Sequence, residues 1–129
     1  MVLANLFLAT GAICSGLAVV LGAFGAHALK GRLSPSDLEV FQTGVQYQLI
    51  HGLAICILAI WCKSSNIQFG LFDALGINLM LFLFGIIFFS GSLYALSLGG
   101  PRWFGPITPV GGLLLILAWG LLAYNAVRA

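Results

Sequence analysis

The sequence predicts an all-α protein: an integral membrane four-helix transmembrane bundle. Three observations carry that expectation. Of 129 residues, 61% are hydrophobic and 6% are charged, against about 25% charged in an ordinary soluble domain, and the mean hydropathy is +1.13. The charged side chains are also spaced out. None precedes Lys30; Lys30, Arg32, Asp37 and Glu39 then cluster, followed by Lys63, Asp73, Arg102 and Arg128. An ionised group at the bilayer centre costs at least about 2.5 kcal/mol, so these residues mark the ends of spans. Between them lie four charge-free stretches, Leu3 to Ala26, Val40 to Cys62, Ala74 to Leu98 and Ile107 to Val127. Each supplies the roughly 20 helical residues that a hydrocarbon core requires. A barrel would instead alternate apolar and polar residues in strands of about 10. The same composition excludes a soluble globule and a disordered chain. A net charge of +2, dispersed as it is, excludes a nucleic-acid partner as well.

The chain reads as one domain over residues 1–129, with helices at about 3–27, 35–62, 73–98 and 109–127. Helix 1 is a span rather than a secretory signal. No Lys or Arg precedes it, and its apolar run exceeds the 7 to 15 residues of a signal core, although Ala26-His27-Ala28 resembles a cleavage site. Helix 2 has the strongest start: Ser34 as cap, Pro35 at the first helical position and Asp37 at the positive end of the macrodipole. From Pro35 to Cys62 it would be about 42 Å long, so its first two turns belong outside the hydrocarbon. Trp61 and Lys63 suit the opposite interface. His51, about 15 Å back along the helix, falls near mid-membrane. Asp73 suits the start of helix 3. Gly99 to Pro106 is rich in helix breakers and forms a loop whose Trp103 and Phe104 suit an interface. Helix 4 then starts with Thr108 as cap and Pro109 behind it.

Seventeen glycines in such a chain suit helix packing in lipid, where small residues let backbones approach. Ala18, Gly22 and Ala26 on helix 1, and Gly91, Ala95 and Gly99 on helix 3, recur at four-residue intervals. A phosphate-binding loop is not supported, because Gly22-Ala23-Phe24-Gly25 and Gly111-Gly112 lack the preceding strand and following Lys-Ser or Lys-Thr.

The polar residues inside the spans carry the functional reading. With antiparallel neighbours, the end of helix 1, the start of helix 2, the end of helix 3 and the start of helix 4 share one side. There the sequence gathers His27, Thr43, Gln46, Tyr47, Gln48, His51, Ser90, Ser92, Tyr94 and Thr108. The other half is apolar apart from Ser15 and Asn78. Thr43, Tyr47 and His51 recur every four residues and Gln48 precedes His51 by three, so they share a face. That face is expected to point into the bundle.

The strings GAFGAHALK (Gly22 to Lys30), TGVQYQLIHGLA (Thr43 to Ala54), FSGSLY (Phe89 to Tyr94) and TPVGG (Thr108 to Gly112) resemble a family of small membrane proteins. It is known as domain of unknown function 423, the transmembrane protein 256-like proteins. Four ordered motifs across all four helices carry the resemblance. It implies a four-pass protein of the bacterial inner membrane, and it lends no activity.

Two uses of the polar cluster compete. In one, His51, Gln48, Tyr47 and the helix 3 serines hydrogen-bond across helices and fix their pairing. In the other, His27, Thr43, Tyr47, Gln48, His51, Ser90, Ser92, Tyr94 and Thr108 line a pocket for a small polar solute, ion or lipid headgroup. No enzyme is expected. Ser90-Gly91-Ser92 is not a nucleophile elbow, and no intramembrane carboxylate orients a histidine toward it. No metal or other cofactor is expected either: two histidines on separate helices without thiolate or carboxylate make a poor zinc shell. Cys14, Cys56 and Cys62 read as small apolar residues. The expected partners are the lipid bilayer, a small polar ligand or lipid headgroup, and a second copy of the chain or another membrane protein. Lys and Arg divide three to two between the sides, which leaves the orientation open.

Overall fold

The computed structural model describes residues 1–128. It has four long helices, α1 (Val2–Phe24), α2 (Pro35–Ser64), α3 (Ala74–Ser97) and α4 (Ile107–Arg128), each long and apolar enough to cross a membrane. The ends of the helices follow local chemistry. Ser34 caps α2 by accepting the Asp37 backbone N–H at 3.1 Å, and its hydroxyl donates back to the Asp37 carboxylate at 2.6 Å. The helix stops where Asn66 adopts a left-handed φ of 53°. Asn66 N–H then reaches Lys63 O, and Ile67 N–H reaches Cys62 O, the hydrogen-bond pair of a Schellman ending. The end of α3 repeats that pair, with Gly99 at φ 82° and Gly100 N–H on Ala95 O at 2.7 Å.

Two expectations about the ends are corrected. The first helix does not stop at residue 27 but continues as one π-helical turn, Gly25–Leu29, with Gly25 leaving space for the buried Phe41 ring. Thr108 is the second residue of α4, not its cap, because the helix already begins at Ile107. Asp73 stands at the N-cap position of α3, where its backbone carbonyl accepts the Ile77 N–H at 2.8 Å and its carboxylate accepts the Gly70 N–H at 2.6 Å.

The helices pack in chain order, α1 on α2, α2 on α3 and α3 on α4. Only 17% of the apolar stretch of α1 and of α4 is buried inside the protein, against 44% for α2 and 33% for α3, so α2 and α3 form the centre. The core runs through Ile55, Ala59, Leu79, Phe82 and Ala118. The N-terminal amine donates to Gln68 Oε1 at 2.7 Å, which ties the start of α1 to the loop after α2.

Close backbone approach sets the spacing, at positions other than those expected. A Cβ on Gly11 would stand 2.8 Å from both Gly52 O and Cys56 Sγ, and one on Gly52 would stand 2.6 Å from Ser15 Oγ. A Cβ on Gly111 would stand 2.2 Å from Phe89 N. Of the expected stripes, Ala18 is buried and Gly22 meets only Val45, at 3.4 Å, while Ala26 is exposed. Gly91 has nothing within 4 Å, and Gly99 lies beyond the end of α3. A four-residue repeat marks a helix stripe; which stripe meets a neighbour is decided by the packing of the whole set.

Candidate functional site

The polar residues of α2 diverge from the single face that their spacing suggests. At 3.6 residues per turn, Tyr47 lies about 40° to one side of His51 and Gln48 about 60° to the other. Gln48 accordingly turns toward α1 and His51 toward α3 and α4. Both are buried, with 7% and 5% of their surface exposed.

Gln48 joins three helices. Its Nε2 donates to the Cys14 carbonyl on α1 at 2.8 Å, and its Oε1 accepts the Tyr94 hydroxyl of α3, also at 2.8 Å. An extra acceptor in α1 is thereby satisfied from a neighbouring helix. A Cβ on Gly44 would stand 2.7 Å from the Tyr94 ring, so the glycine makes room for that reach.

His51 joins α2 to α4. Its Nδ1 lies 2.6 Å from the Tyr47 carbonyl, and the Trp119 Nε1–H points at its Nε2 from 3.1 Å. A carbonyl only accepts and an indole N–H only donates. The partners therefore assign the neutral tautomer, with the proton on Nδ1 and a bare Nε2. Phe82 packs edge-on to Trp119 with centroids 5.0 Å apart, and the Phe82 ring centroid lies 5.9 Å from that of His51.

Two further links complete the network. Ser90 Oγ donates to Gly44 O at 2.7 Å, tying α3 to α2. The Ser92 and Thr108 hydroxyls meet at 2.7 Å, tying α3 to α4. Of the nine predicted residues, Gln48, His51, Ser90, Ser92, Tyr94 and Thr108 thus make side-chain links between helices. Three do not. His27 is exposed on the π-helical turn, away from the cluster. The Thr43 hydroxyl donates to Glu39 O within its own helix, satisfying itself locally as a helical threonine can. Tyr47 contributes only its backbone carbonyl; its side chain is 39% exposed and packs on Phe89.

Sequence reasoning did not find Trp119. An apolar run with one tryptophan reads as lipid-facing surface, and only the meeting of α2 and α4 reveals its partner. In the half read as apolar, Asn78 is fully buried and its Nδ2 donates to Ala118 O at 2.6 Å. Its Oδ1, Ser15 Oγ and Asn125 Nδ2 are buried without a partner among the described residues. Gathered groups of three or more His, Cys, Asp or Glu side chains are absent among the described residues.

Beside the network, α2 and α4 run parallel with a groove of about 550 Å³ between them. It is lined by the buried His51, by Phe89 and by the exposed Ile50, Ile116, Gln46, Tyr47 and Trp119.

With that geometry in place, comparison with known proteins gives the family. A model described as "Protein of unknown function (DUF423)" matches residues 21–112, a stretch that contains every residue of the network except Cys14 and Trp119. The chain belongs to the DUF423 family. Among its relatives, a UPF0382 membrane protein of Staphylococcus haemolyticus is 43% identical, over 96% of this chain and 97% of its own. YwdK of Bacillus subtilis, named a UPF0382 membrane protein, is 39% identical over 96% and 98%. YgdD of Escherichia coli, named a UPF0382 inner membrane protein, is 36% identical over 91% and 86%. No solved structure matches. The DUF423 chain is thus a multi-pass membrane protein of a family without an assigned function, and its E. coli relative is named for the inner membrane.

Proposed function

We propose that this chain is a non-catalytic membrane protein whose intramembrane polar network holds its helices in register and presents a groove to the bilayer or to a membrane partner. One observation carries the reading: the network's groups are engaged with one another. Both nitrogens of His51 are occupied, by Tyr47 O and Trp119. Both ends of the Gln48 amide are used, and the Ser90 hydroxyl donates to a backbone carbonyl. A histidine held in this way has no lone pair left to activate a serine or to bind a metal. Interhelical links of this kind contribute about 0.6 to 2 kcal/mol each.

The test is thermal unfolding of purified protein in detergent. Gln48→Leu and His51→Leu should each lower the midpoint, whereas unchanged midpoints would contradict a structural network. Reproducible turnover of lipid or peptide substrates by the purified protein would contradict the non-catalytic part. The groove beside His51 favours a second role alongside the first, in which the same scaffold binds a ligand from the bilayer.

A further inference from the structure

The groove between α2 and α4 is unevenly polar, and that unevenness selects a ligand. We infer that it binds a glycerolipid, with one acyl chain lying along Ile50 and Ile116 while Gln46 and Tyr47 donate to the lipid's ester carbonyls. The inference deepens the ligand-binding role proposed above and rests on it.

Gln46 is exposed and Tyr47 partly so, although both lie three turns into α2 on the way to mid-membrane. Neither the Gln46 amide nor the Tyr47 hydroxyl has a hydrogen-bond partner among the described residues. Unpartnered polar groups facing hydrocarbon are costly. Side chains of a helix lean toward its N-terminus, which for α2 is the Lys30 side, so both groups reach toward the nearer headgroup layer. Each offers a donor. An ester carbonyl accepts and does not donate, and it belongs to a molecule whose remainder is hydrocarbon. Below the two donors the lining is apolar apart from His51, both of whose ring nitrogens are engaged, as far as Trp119, which the His51 bond holds in place at the far end. A second groove, of about 520 Å³, lined by Leu71, Phe72, Met80, Phe84 and other apolar residues, has no such donors and gives no reason for selection.

Protein occupants fit less well. A symmetric dimer requires a self-complementary patch, and a concave groove set against its own copy encloses a void. A helix from another protein is 10–12 Å across, and over the eight residues from Gly112 to Trp119 it would need about 900 to 1,400 Å³, more than the groove provides.

The experiment uses full-length protein with Trp61→Phe and Trp103→Phe, which leaves Trp119 as the reporter. It is reconstituted in vesicles of diester phosphatidylcholine with brominated chains, or of the diether analogue with the same chains, which lacks the carbonyls. Trp119 fluorescence should be quenched several-fold more strongly by the diester lipid at equal mole fraction. Adding Gln46→Leu and Tyr47→Phe should make the two lipids equal. Gly112→Leu, whose Cβ would make only ordinary contact with Phe89 at 3.6 Å, should fill the groove and reduce quenching by both. Equal quenching by the two lipids in the reporter protein would overturn the inference. So would an ester preference that survives the double substitution, or weak quenching accompanied by crosslinked dimers. Melting of each variant is measured in parallel. The two readings fail separately: an unchanged midpoint in His51→Leu would contradict the polar network, whereas equal quenching by the two lipids in a reporter protein of unchanged stability would contradict this inference.

Discussion

Helix α4 meets its two neighbours in opposite ways. Against α3 it packs backbone to backbone: Gly111 lies so close to Phe89 that not even a methyl group fits, and Asn78 donates to Ala118 O within the seam. Against α2, which runs parallel to it, there is a groove of about 550 Å³ crossed by one side-chain hydrogen bond, Trp119 to His51. Consecutive antiparallel helices can lie in contact along their length, and in lipid the gain is dispersion between close backbones. The parallel pair is separated by α3 and is joined only where long side chains span the gap. The α3–α4 distance is therefore fixed by glycine, and the α2–α4 distance by an imidazole and an indole.

Substitutions should break these two arrangements to very different degrees. Gly111→Ala should have the largest effect, because its Cβ would meet the backbone rather than a movable side chain; a loss of about 3 kcal/mol is expected, read from unfolding in detergent. Gln48→Leu comes next. It leaves the Tyr94 hydroxyl without its acceptor and removes the interhelical bond to the Cys14 carbonyl, and about 2 kcal/mol is expected for two interhelical links. His51→Leu removes one link to α4, with about 1 kcal/mol expected. In a double-mutant cycle with Trp119→Phe, the two changes should be clearly non-additive; additive losses would mean that the bond does not hold α4. Smallest is Gly91→Ala, on the face of α3 with nothing within 4 Å. Relief of glycine's backbone entropy should leave stability unchanged or raise it by up to about 1 kcal/mol. The contrast between Gly111 and Gly91 on neighbouring helices is the sharpest check on which glycines pack.

Much of this arrangement is legible in the sequence, for physical reasons. The expense of a charge in hydrocarbon places the span ends, and Ser34-Pro35 with Asp37 places the start of α2 because capping is local chemistry. Burial of Gln48 and His51, and the approach of Ser90, Ser92 and Tyr94, follow from the rule that polar side chains in a span face protein. What is not legible depends on angles and partners. A four-residue repeat drifts by about 40° per step, so Thr43, Tyr47 and His51 fan outward, and Tyr47 faces the groove rather than the interior. His27 is exposed on the π-helical turn that carries the first helix to Leu29. Trp119 carries no local mark of its role, since an indole N–H suits an interface as well as a buried acceptor.

The central claim is that His51 is a neutral imidazole held between α2 and α4 by groups of opposite hydrogen-bonding sense. Nitrogen-15 NMR of histidine-labelled protein in bilayers tests it directly, with His27→Gln leaving His51 as the only histidine. The account predicts a protonated Nδ1 and a bare Nε2, with a hydrogen-bond coupling from Nε2 to the Trp119 indole N–H. A proton on Nε2, or a bare Nε2 with no coupling to Trp119, would contradict it.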